Sequence, residues 1–284
     1  MNYNKIVIER KIKEFIEEDC SYKDCSSDFI PKNAIITAKI ISKSEGFISG
    51  LDELKILFNS LEVKTNFLKN DGDSIDNGDT IVELEGLARN ILLGERVGLN
   101  LCTHMSSITS TVKKFVSIIE GANRKTKIAC TRKTLPGLRL FEKKAVEIGG
   151  GETHRFSLDD MILLKDTHLK YARGNLIQLL EDVKRTASFS KKIEVEIEKI
   201  EDIIPASRGG ADIIMLDNMS PEQIGKAILL LSENDLRSNV LIEISGGITF
   251  DNILNYLEQE PDIISTSEIT QNPSEQIDLS LRFS

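Results

Sequence analysis

The first part of the chain mixes strand-like and helix-like patterns of apolar residues. Residues 34–41 ("AIITAKII") have the pattern of a strand, and residues 51–61 repeat apolar positions at helical spacing. The segment 70–79 carries Asp-Gly and Asn-Gly pairs, which favour turns, and another strand, "TIVELEGLA", follows. A long helix is expected over about 90–120, with close packing or a break indicated at Ser106, Ser107, Thr109 and Ser110. This pattern predicts a small α+β domain that ends in a connecting helix.

From about residue 126 the pattern changes to short apolar runs that alternate with amphipathic helices. Nearly continuous apolar strands covered by helices are typical of a parallel sheet, either open or closed into a barrel. No glycine-rich dinucleotide fingerprint or P-loop opens the first strand–helix turn, which disfavours the Rossmann and P-loop folds. The expected fold class is therefore α/β, with predicted strands at 127–131, 161–165, 192–197, 211–217, 240–245 and 262–266.

Composition narrows the class of partner. The chain has 284 residues and a net charge of -9, which argues against general binding to nucleic acid or to an anionic membrane. No apolar run approaches the roughly 20 residues of a membrane helix, and the N-terminus lacks the apolar core of a signal peptide. We therefore expect a cytoplasmic protein. The cysteines fit neither a disulfide framework nor a paired zinc motif, because they are few and irregularly spaced: Cys20, Cys25, Cys102 and Cys130.

The acidic balance is uneven along the chain. Residues 124–173 contain twelve Lys and Arg against six Asp and Glu, a net of +6, and they also contain His154 and His168. A solvated basic face would explain such a cluster in an average segment. Here the charges lie beside glycines and at the ends of apolar runs, which favours an anion-binding pocket.

Polar residues follow five of the predicted strands. In α/β barrels the carboxyl ends of the strands carry the catalytic and binding groups, so these residues predict one shared pocket. The cationic residues suit carboxylates and phosphates; they are Arg132, Lys133, Arg155 and Lys165.

The same strand ends also carry acidic groups and glycines. Glu196 and Asp217 can bind Mg²⁺ or accept hydrogen bonds from ribose hydroxyls. Ser245, Gly246 and Gly247 precede a helix that opens at Thr249, where backbone N–H groups can face a phosphate. Together these features predict a site for a multiply anionic substrate that bears a phosphate and a sugar.

A long block of sequence resembles one enzyme family. The stretch "CTRKTLPGLRLFEKKAVEIGGGETHRFSLDDMILLKDTH" is similar to nicotinate-nucleotide pyrophosphorylases (carboxylating), also called quinolinate phosphoribosyltransferases. The resemblance continues through "ERVGLNLCTHMSSIT", "IEVEIE", "GADIIMLDNMSPE", "SGGIT" and "DLSL", and it covers most of the chain from about residue 80 onward.

This resemblance implies an activity and an architecture. Members of the family convert quinolinate and 5-phosphoribosyl-1-pyrophosphate (PRPP), with Mg²⁺, into nicotinate mononucleotide, pyrophosphate and CO₂ during NAD biosynthesis. They combine an N-terminal α+β sandwich domain with an incomplete parallel α/β barrel. Here that implies a sandwich domain over 1–110, to which a tail at 270–284 returns, and a barrel over 111–269. Members form dimers or larger homo-oligomers, in which the residue matching Arg96 reaches the neighbouring subunit's site.

The resemblance also implies roles for individual residues. Quinolinate's carboxylates are expected to contact Arg132, His154, Arg155 and Lys165, together with Arg96 of the neighbouring subunit. PRPP is expected near Lys133 and His168, with Glu196 and Asp217 at the ribose hydroxyls and Mg²⁺. The 5′-phosphate is expected on the backbone of Ser245, Gly246 and Gly247 and of the turn at Ser267. Lys133, Lys165, Glu196 and Asp217 form the expected catalytic set; a Schiff base on Lys165 is the lesser option, since no covalent nucleophile is required.

The chain departs from the family pattern at a few positions. Cys130 stands where Asp is frequent, and Thr167 replaces the Asn of K-D-N-H. Ser267 and Glu268 replace a Gly and a small or apolar residue, which brings an extra carboxylate close to the expected phosphate loop. Two alternatives stay open: a PRPP-dependent transferase acting on another aromatic carboxylate, as in the molybdenum-transport-associated homologue, and a non-catalytic binding paralogue.

Overall fold

The computed structural model describes residues 3–283. Up to residue 121 its helices and strands are α1 Lys5–Asp19, β1 Ile35–Ser42, β2 Gly46–Phe47, α2 Leu51–Ser60, β3 Lys64–Phe67, β4 Ser74–Ile75, β5 Thr80–Leu87 and α3 Ala88–Gly121. The following elements are β6 Lys127–Ala129, α4 Arg139–Ile148, β7 Ile162–Leu164, α5 Asp166–Tyr171, α6 Leu176–Thr186, β8 Ile193–Ile197, α7 Ile203–Arg208 and β9 Ile213–Asp217. The chain ends with α8 Pro221–Glu233, β10 Leu241–Ser245, α9 Ile253–Leu257, β11 Ile263–Ser265, α10 Glu268–Gln271 and β12 Leu279–Phe283. Among these described residues, no helix combines the length and the apolar character needed to cross a membrane.

The chain divides into two compact units. The first contains the described residues up to Thr111, the segment Leu140–Gly149 and the residues from Pro273 onward. The second contains Val112–Arg139 and Gly150–Asn272. Each unit has one main sheet.

An antiparallel sheet organises the first unit, with the strand order β12-β1-β5-β3. Its edge strand comes from the end of the chain, since β12 pairs with β1 from Ala38 opposite Phe283 to Ser42 opposite Leu279. Apolar residues of β1 and β5 such as Ala38, Ile40 and Leu84 are buried, as expected of a sheet that turns one face to a core.

Helix α3 is a single helix of 34 residues. The helix packs closely against neighbouring backbone at its Ser and Thr side chains, and it is not broken there. Ser106 Oγ accepts a hydrogen bond from the Ser49 N–H at 2.9 Å, and Thr109 Oγ1 donates to the Ala145 carbonyl at 2.9 Å. These short side chains let neighbouring backbone approach α3 and satisfy its polar groups.

A six-stranded parallel sheet organises the second unit, with the order β6-β11-β10-β9-β8-β7. All six strands lie where the apolar runs predict them, each somewhat shorter than its run. Residues such as Ile214, Leu216, Ile242 and Ile244 are fully buried, which explains why these strands read as continuous apolar segments. An α/β fold with a small N-terminal sheet domain and a parallel-strand C-terminal domain is confirmed.

Helix α4 differs from the sequence-based division of the chain, which placed residues 140–149 with the parallel strands. The Phe141 ring lies 5.7 Å from the Phe15 ring, centroid to centroid, and Lys144 forms ion pairs with Asp52 and Glu53. These partners belong to the first unit, so most of α4 does as well.

Candidate active site

A cavity of about 900 Å³ opens at the carboxyl ends of the parallel strands and is called the strand-end pocket here. All six strands contribute to it, directly or through the loops that follow them. Its lining includes eleven of the sequence-predicted residues: Arg132, Lys133, His154, Arg155, Lys165, Glu196, Asp217, Ser245, Gly246, Gly247 and Ser267. Parallel strands end at one edge of their sheet, so residues far apart in sequence meet there.

Two predicted residues lie elsewhere. His168 is exposed and does not line the strand-end pocket; its Nδ1 accepts a hydrogen bond from the Lys165 N–H at 3.0 Å, at the start of α5. Arg96 belongs to the first unit, where it lines a separate cavity of about 350 Å³ with Asn100, His104 and Asp278.

Two arginines that are at least partly buried line the strand-end pocket. Arg132 has a buried Nε with no hydrogen-bond partner among the described residues. Arg155 is only 9% exposed, and its Nη1 donates to the Met161 carbonyl at 3.4 Å. Burial, and then repulsion from Arg132, lower the pKa of Arg155. An anion that binds here would satisfy an orphaned donor and relieve the repulsion.

Hydrogen bonds fix the turn that carries Arg132 and Lys133. The Lys133 N–H donates to Thr131 Oγ1 at 3.0 Å, and the Thr134 N–H donates to the Arg132 carbonyl at 2.9 Å. Thr270 Oγ1, in α10, donates to the Lys133 carbonyl at 2.7 Å. Helix α10, which follows strand β11 of the same sheet, therefore helps to hold the turn that carries Arg132 and Lys133.

Acidic groups lie at the ends of β8 and β9. Glu196 Oε2 is 2.7 Å from Lys165 Nζ, and Asp217 Oδ2 accepts from Asn218 Nδ2 at 2.7 Å. Burial, and then the negative charge of Glu196, raise the pKa of Asp217. The pocket thus brings arginines and carboxylates together, with Lys165 paired to Glu196.

His154 forms a buried cluster with two glutamates. Its Nε2 is 3.2 Å from Glu243 Oε2 and 3.3 Å from Glu194 Oε2, and both carboxyl side chains are fully buried. Burial opposes a charge on this ring, yet the contacts with Glu194 and Glu243 outweigh it and raise the pKa of His154 to about 10. Burial also raises the pKa of Glu194. The cluster therefore retains a proton at neutral pH.

The position of that cluster limits what His154 can do. The Arg155 N–H lies 2.7 Å from Nδ1, so both ring nitrogens face protein groups. A hydrogen bond from the Arg155 N–H to Nδ1 leaves the ring's hydrogen on Nε2, between the two carboxylates. The resemblance implies that His154 contacts a substrate carboxylate. In the structure the ring lines the strand-end pocket and also contacts the backbone N–H of Arg155, and His154 has a φ of +51°.

The glycine loop after β10 presents backbone donors to the pocket. Gly246 has φ of +95°, and a Cβ there would meet Asn218 Oδ1 at 2.3 Å, so no larger residue fits without a shift. Within the described residues, no acceptor contacts the N–H groups of Gly246 and Gly247. Exposed N–H groups in a positive-φ turn are a common anion-binding arrangement.

A second cavity, of about 730 Å³, opens near the amino ends of the same strands and shares His154, Arg155 and Glu243 with the strand-end pocket. Four of its other charged residues form two ion pairs, Arg124 with Glu260 and Lys127 with Glu152. Because the strand-end pocket collects eleven of the sequence-predicted residues, it is the stronger candidate for the active site.

Sequence reasoning missed Glu243 as a pocket residue. It lies in the middle of an apolar parallel strand, where a charged side chain is costly unless it has a buried partner. A charged residue inside an apolar strand was therefore the signal that could have identified Glu243, and Glu194 in β8 is a second example of it.

Two family models match the chain. The model of the quinolinate phosphoribosyl transferase N-terminal domain matches residues 22–106, and that of the C-terminal domain matches residues 108–282.

Curated proteins and solved structures agree with these matches. A probable nicotinate-nucleotide pyrophosphorylase (carboxylating) of Methanothermobacter thermautotrophicus is 40% identical, over 95% of this chain and 96% of its own. The Homo sapiens nicotinate-nucleotide pyrophosphorylase (carboxylating) is 31% identical, over 95% and 90%. The structure of the nicotinate-nucleotide pyrophosphorylase from Francisella tularensis aligns with a TM-score of 0.91 at 32% identity, over 100% of this chain and 98% of that one.

Proposed function

The chain belongs to the quinolinate phosphoribosyltransferase family, and from that membership we propose how the strand-end pocket accommodates its substrates. It is an enzyme of the pentosyltransferase type that acts in NAD biosynthesis. The reaction joins quinolinate to the ribose of PRPP and releases pyrophosphate and CO₂, which leaves nicotinate mononucleotide.

One observation carries the assignment of the substrates to this pocket. Arg132, whose buried Nε has no hydrogen-bond partner among the described residues, the buried Arg155, and the carboxylates Glu196 and Asp217 line the same cavity of about 900 Å³. A pyridine diacid needs the first set, and a ribose with free hydroxyls needs the second. A cavity of this volume lies in the usual range for small-molecule sites.

Quinolinate lies on the arginine side. Arg132 and Arg155 bind its two carboxylates, and Lys165 adds a third positive charge while Glu196 holds its Nζ in place. His154 supports this side through the backbone of Arg155, and His168 supports it through the backbone of Lys165. Clamping both carboxylates orients the ring nitrogen towards the sugar, which supplies part of the rate acceleration.

PRPP lies on the carboxylate side. Glu196 and Asp217 accept hydrogen bonds from the ribose hydroxyls, and Lys133 faces the pyrophosphate. The 5′-phosphate binds the open N–H groups of Ser245–Gly247 and of the turn at Ser267. A substitution at Lys133 or Asp217 would then weaken the binding of PRPP more than the binding of quinolinate.

The donor chemistry at the ends of β8 and β9 also fits Mg²⁺. Glu196 and Asp217 are hard oxygen ligands, and burial, followed by the negative charge of Glu196, raises the pKa of Asp217 despite the opposing charge of Lys165. When bound, Mg²⁺ supplies positive charge that stabilises the departing pyrophosphate. The two carboxylates would hold it together with oxygens of the substrate.

The protein's own groups account for the remaining chemistry by placement and charge. Breaking the bond between C1′ and pyrophosphate leaves positive charge on the sugar, which the nearby Glu196 and Asp217 stabilise. Lys133 stabilises the leaving group. After the ring nitrogen is ribosylated, its positive charge stabilises the carbanion left by loss of the adjacent carboxylate, so no covalent enzyme intermediate is needed.

A neighbouring subunit contributes Arg96 in this proposal. Arg96 lines a cavity of the first unit and has no place among the residues of the strand-end pocket. We therefore assign it to quinolinate in the partner's pocket of a homodimer or of a larger homo-oligomer.

Purified protein incubated with quinolinate, PRPP and Mg²⁺ tests the function, with nicotinate as a competing acceptor. We expect nicotinate mononucleotide, pyrophosphate and CO₂ in equal amounts from quinolinate, and little product from nicotinate, which has one carboxylate. Turnover of a different aromatic carboxylate in preference to quinolinate would favour the other transferase class. Binding of both substrates without turnover would favour a non-catalytic protein.

A further inference from the structure

A glutamate lies in the part of the strand-end pocket to which we assign the sugar phosphate. Glu268 begins α10 and lines the pocket beside Gly246, Gly247 and Thr249. Its Oε2 accepts a hydrogen bond from the Phe250 N–H at 3.3 Å. A backbone donor next to the glycine loop therefore already faces an anion from the chain itself.

The position of this carboxylate is set by contacts between the two loops. Thr266 Oγ1 donates to the Ile248 carbonyl at 2.7 Å and accepts from the Glu268 N–H at 3.2 Å. The N–H groups of Thr270 and Gln271 donate hydrogen bonds to the Ser267 carbonyl, which closes the turn. Thr266 thus links the loop after β11 to the loop after β10, and Glu268 lies two residues beyond this link.

The surroundings of Glu268 are not strongly cationic. Burial, and then the nearby negative charge of Asp251, raise the pKa of Glu268, and Lys114 opposes this only in part. Lys114 Nζ itself lies 3.9 Å from the centroid of the Phe250 ring. A dianionic phosphate entering this corner meets two carboxylates, Asp251 and Glu268, both of which line the pocket.

We propose that the Glu268 carboxylate competes with phosphate for this corner, so that a sugar phosphate binds only after displacing the carboxylate from the Phe250 N–H. The proposal rests on the proposed function for the identity of the sugar phosphate, but the competition itself concerns any phosphate. Inorganic phosphate brings a single anionic group to this corner, whereas PRPP is also held through its ribose hydroxyls and its pyrophosphate. Glu268 therefore discriminates against free phosphate while the full substrate still binds.

The test compares inorganic phosphate binding to the wild-type enzyme and to Glu268→Gln, with Kd measured by isothermal titration calorimetry. Removing one like charge should lower the Kd for phosphate by about tenfold and make phosphate a stronger competitive inhibitor against PRPP. Glu268→Ala should also lower the Kd for phosphate. Because alanine cannot form the hydrogen bond that the glutamine amide could form, this second variant isolates the effect of the charge. Glu233→Gln, on an exposed residue of α8 outside the pocket lining, is the matched control and should bind phosphate as the wild type does.

An unchanged or higher Kd in both Glu268 variants, with melting temperatures near that of the wild type, would overturn the proposal. Turnover of quinolinate is measured in the same samples. Tighter phosphate binding in the variants without turnover by any sample, the wild type included, would support the competition and refute the enzymatic assignment. Normal turnover without tighter phosphate binding would support the enzymatic assignment and refute the competition.

Discussion

Two buried carboxylates and one imidazole share a proton inside the parallel sheet. The pKa of His154 is raised from its ordinary 6.5 to about 10, so the folded chain keeps a proton that the unfolded chain releases. The stabilisation linked to this proton is fully present below pH 6.5 and is lost as the pH rises to about 10. This enzyme should therefore lose stability on the alkaline side of neutrality because of one cluster.

Replacing Glu243 by Gln tests that linkage. The variant removes one of the two carboxylates that raise the pKa of His154, so the proton should be released at lower pH. We expect the free energy of unfolding, measured with urea, to fall less between pH 6.5 and about 9.5 than it does in the wild type. Glu233→Gln is the control and should follow the wild-type curve. Parallel curves for Glu243→Gln and the wild type would contradict this account of the cluster.

The sequence allowed the strand-end residues to be predicted but not all of their roles. Arg132, Lys165 and Asp217 follow apolar strands, and the rule that strand ends converge brings them together without further information. The buried contacts of His154 could not be predicted in this way, because Glu194 and Glu243 lie opposite the ring only in three dimensions.

At the level of elements, α4 is anchored by an ion pair that is costly to disrupt. Lys144 Nζ lies 2.9 Å from Oε1 and 3.0 Å from Oε2 of Glu53, whose side chain is fully buried. Burial raises the pKa of Glu53 even beside Lys144. Burial opposes the charge of Lys144 too, yet Glu53 and Asp52 outweigh it and raise the pKa of Lys144, so the cation is firmly held. Loss of the cation alone, however, would leave a buried carboxylate uncompensated.

Lys144→Met should therefore destabilise the protein by about 3–5 kcal/mol. Lys144→Met combined with Glu53→Met should recover part of that loss, because the buried charge of Glu53 is removed as well while Asp71, also close to Lys144, keeps its carboxylate. Chemical denaturation followed by circular dichroism measures both variants, with the exposed Lys55→Met on α2 as the control. Equal midpoints for Lys144→Met and Lys55→Met would show that the pair does not anchor α4.

Elements were predictable where their pattern is local. The parallel strands are short apolar runs because both faces are covered, and the length and period of each run suffice to place it. The unit to which α4 belongs was not predictable, because Lys144 and Glu53 are 91 positions apart in the chain. The polar residues of α3 left packing and a break equally possible, and the choice depended on Ser49 and Ala145, which lie outside the helix.

At the level of the whole molecule, the assignment of Arg96 to a partner's pocket predicts complementation between inactive variants. Arg96→Ala lacks the donated arginine, and Arg155→Ala has a damaged pocket, so each homodimer should be nearly inactive. Mixed dimers contain one pocket with an intact lining and an intact Arg96, so random assembly should restore about a quarter of wild-type activity.

Co-expression with two affinity tags, followed by an activity assay, measures this recovery. A mixture of Arg155→Ala with Asp217→Asn is the control, because both changes affect the same pocket and no mixed dimer contains a complete one. Recovery in neither mixture would contradict the donation of Arg96 across an interface.

The central claim is that one pocket binds two substrates through two separate sets of side chains. The most direct measurement is the KM for quinolinate and for PRPP in Arg155→Ala and in Asp217→Asn, with thermal melting to confirm that both variants fold. Loss of a charged hydrogen bond should raise the KM for quinolinate about ten- to hundredfold in Arg155→Ala, with little change for PRPP, and Asp217→Asn should show the opposite pattern. Equal increases of both constants in each variant would contradict the division of the pocket.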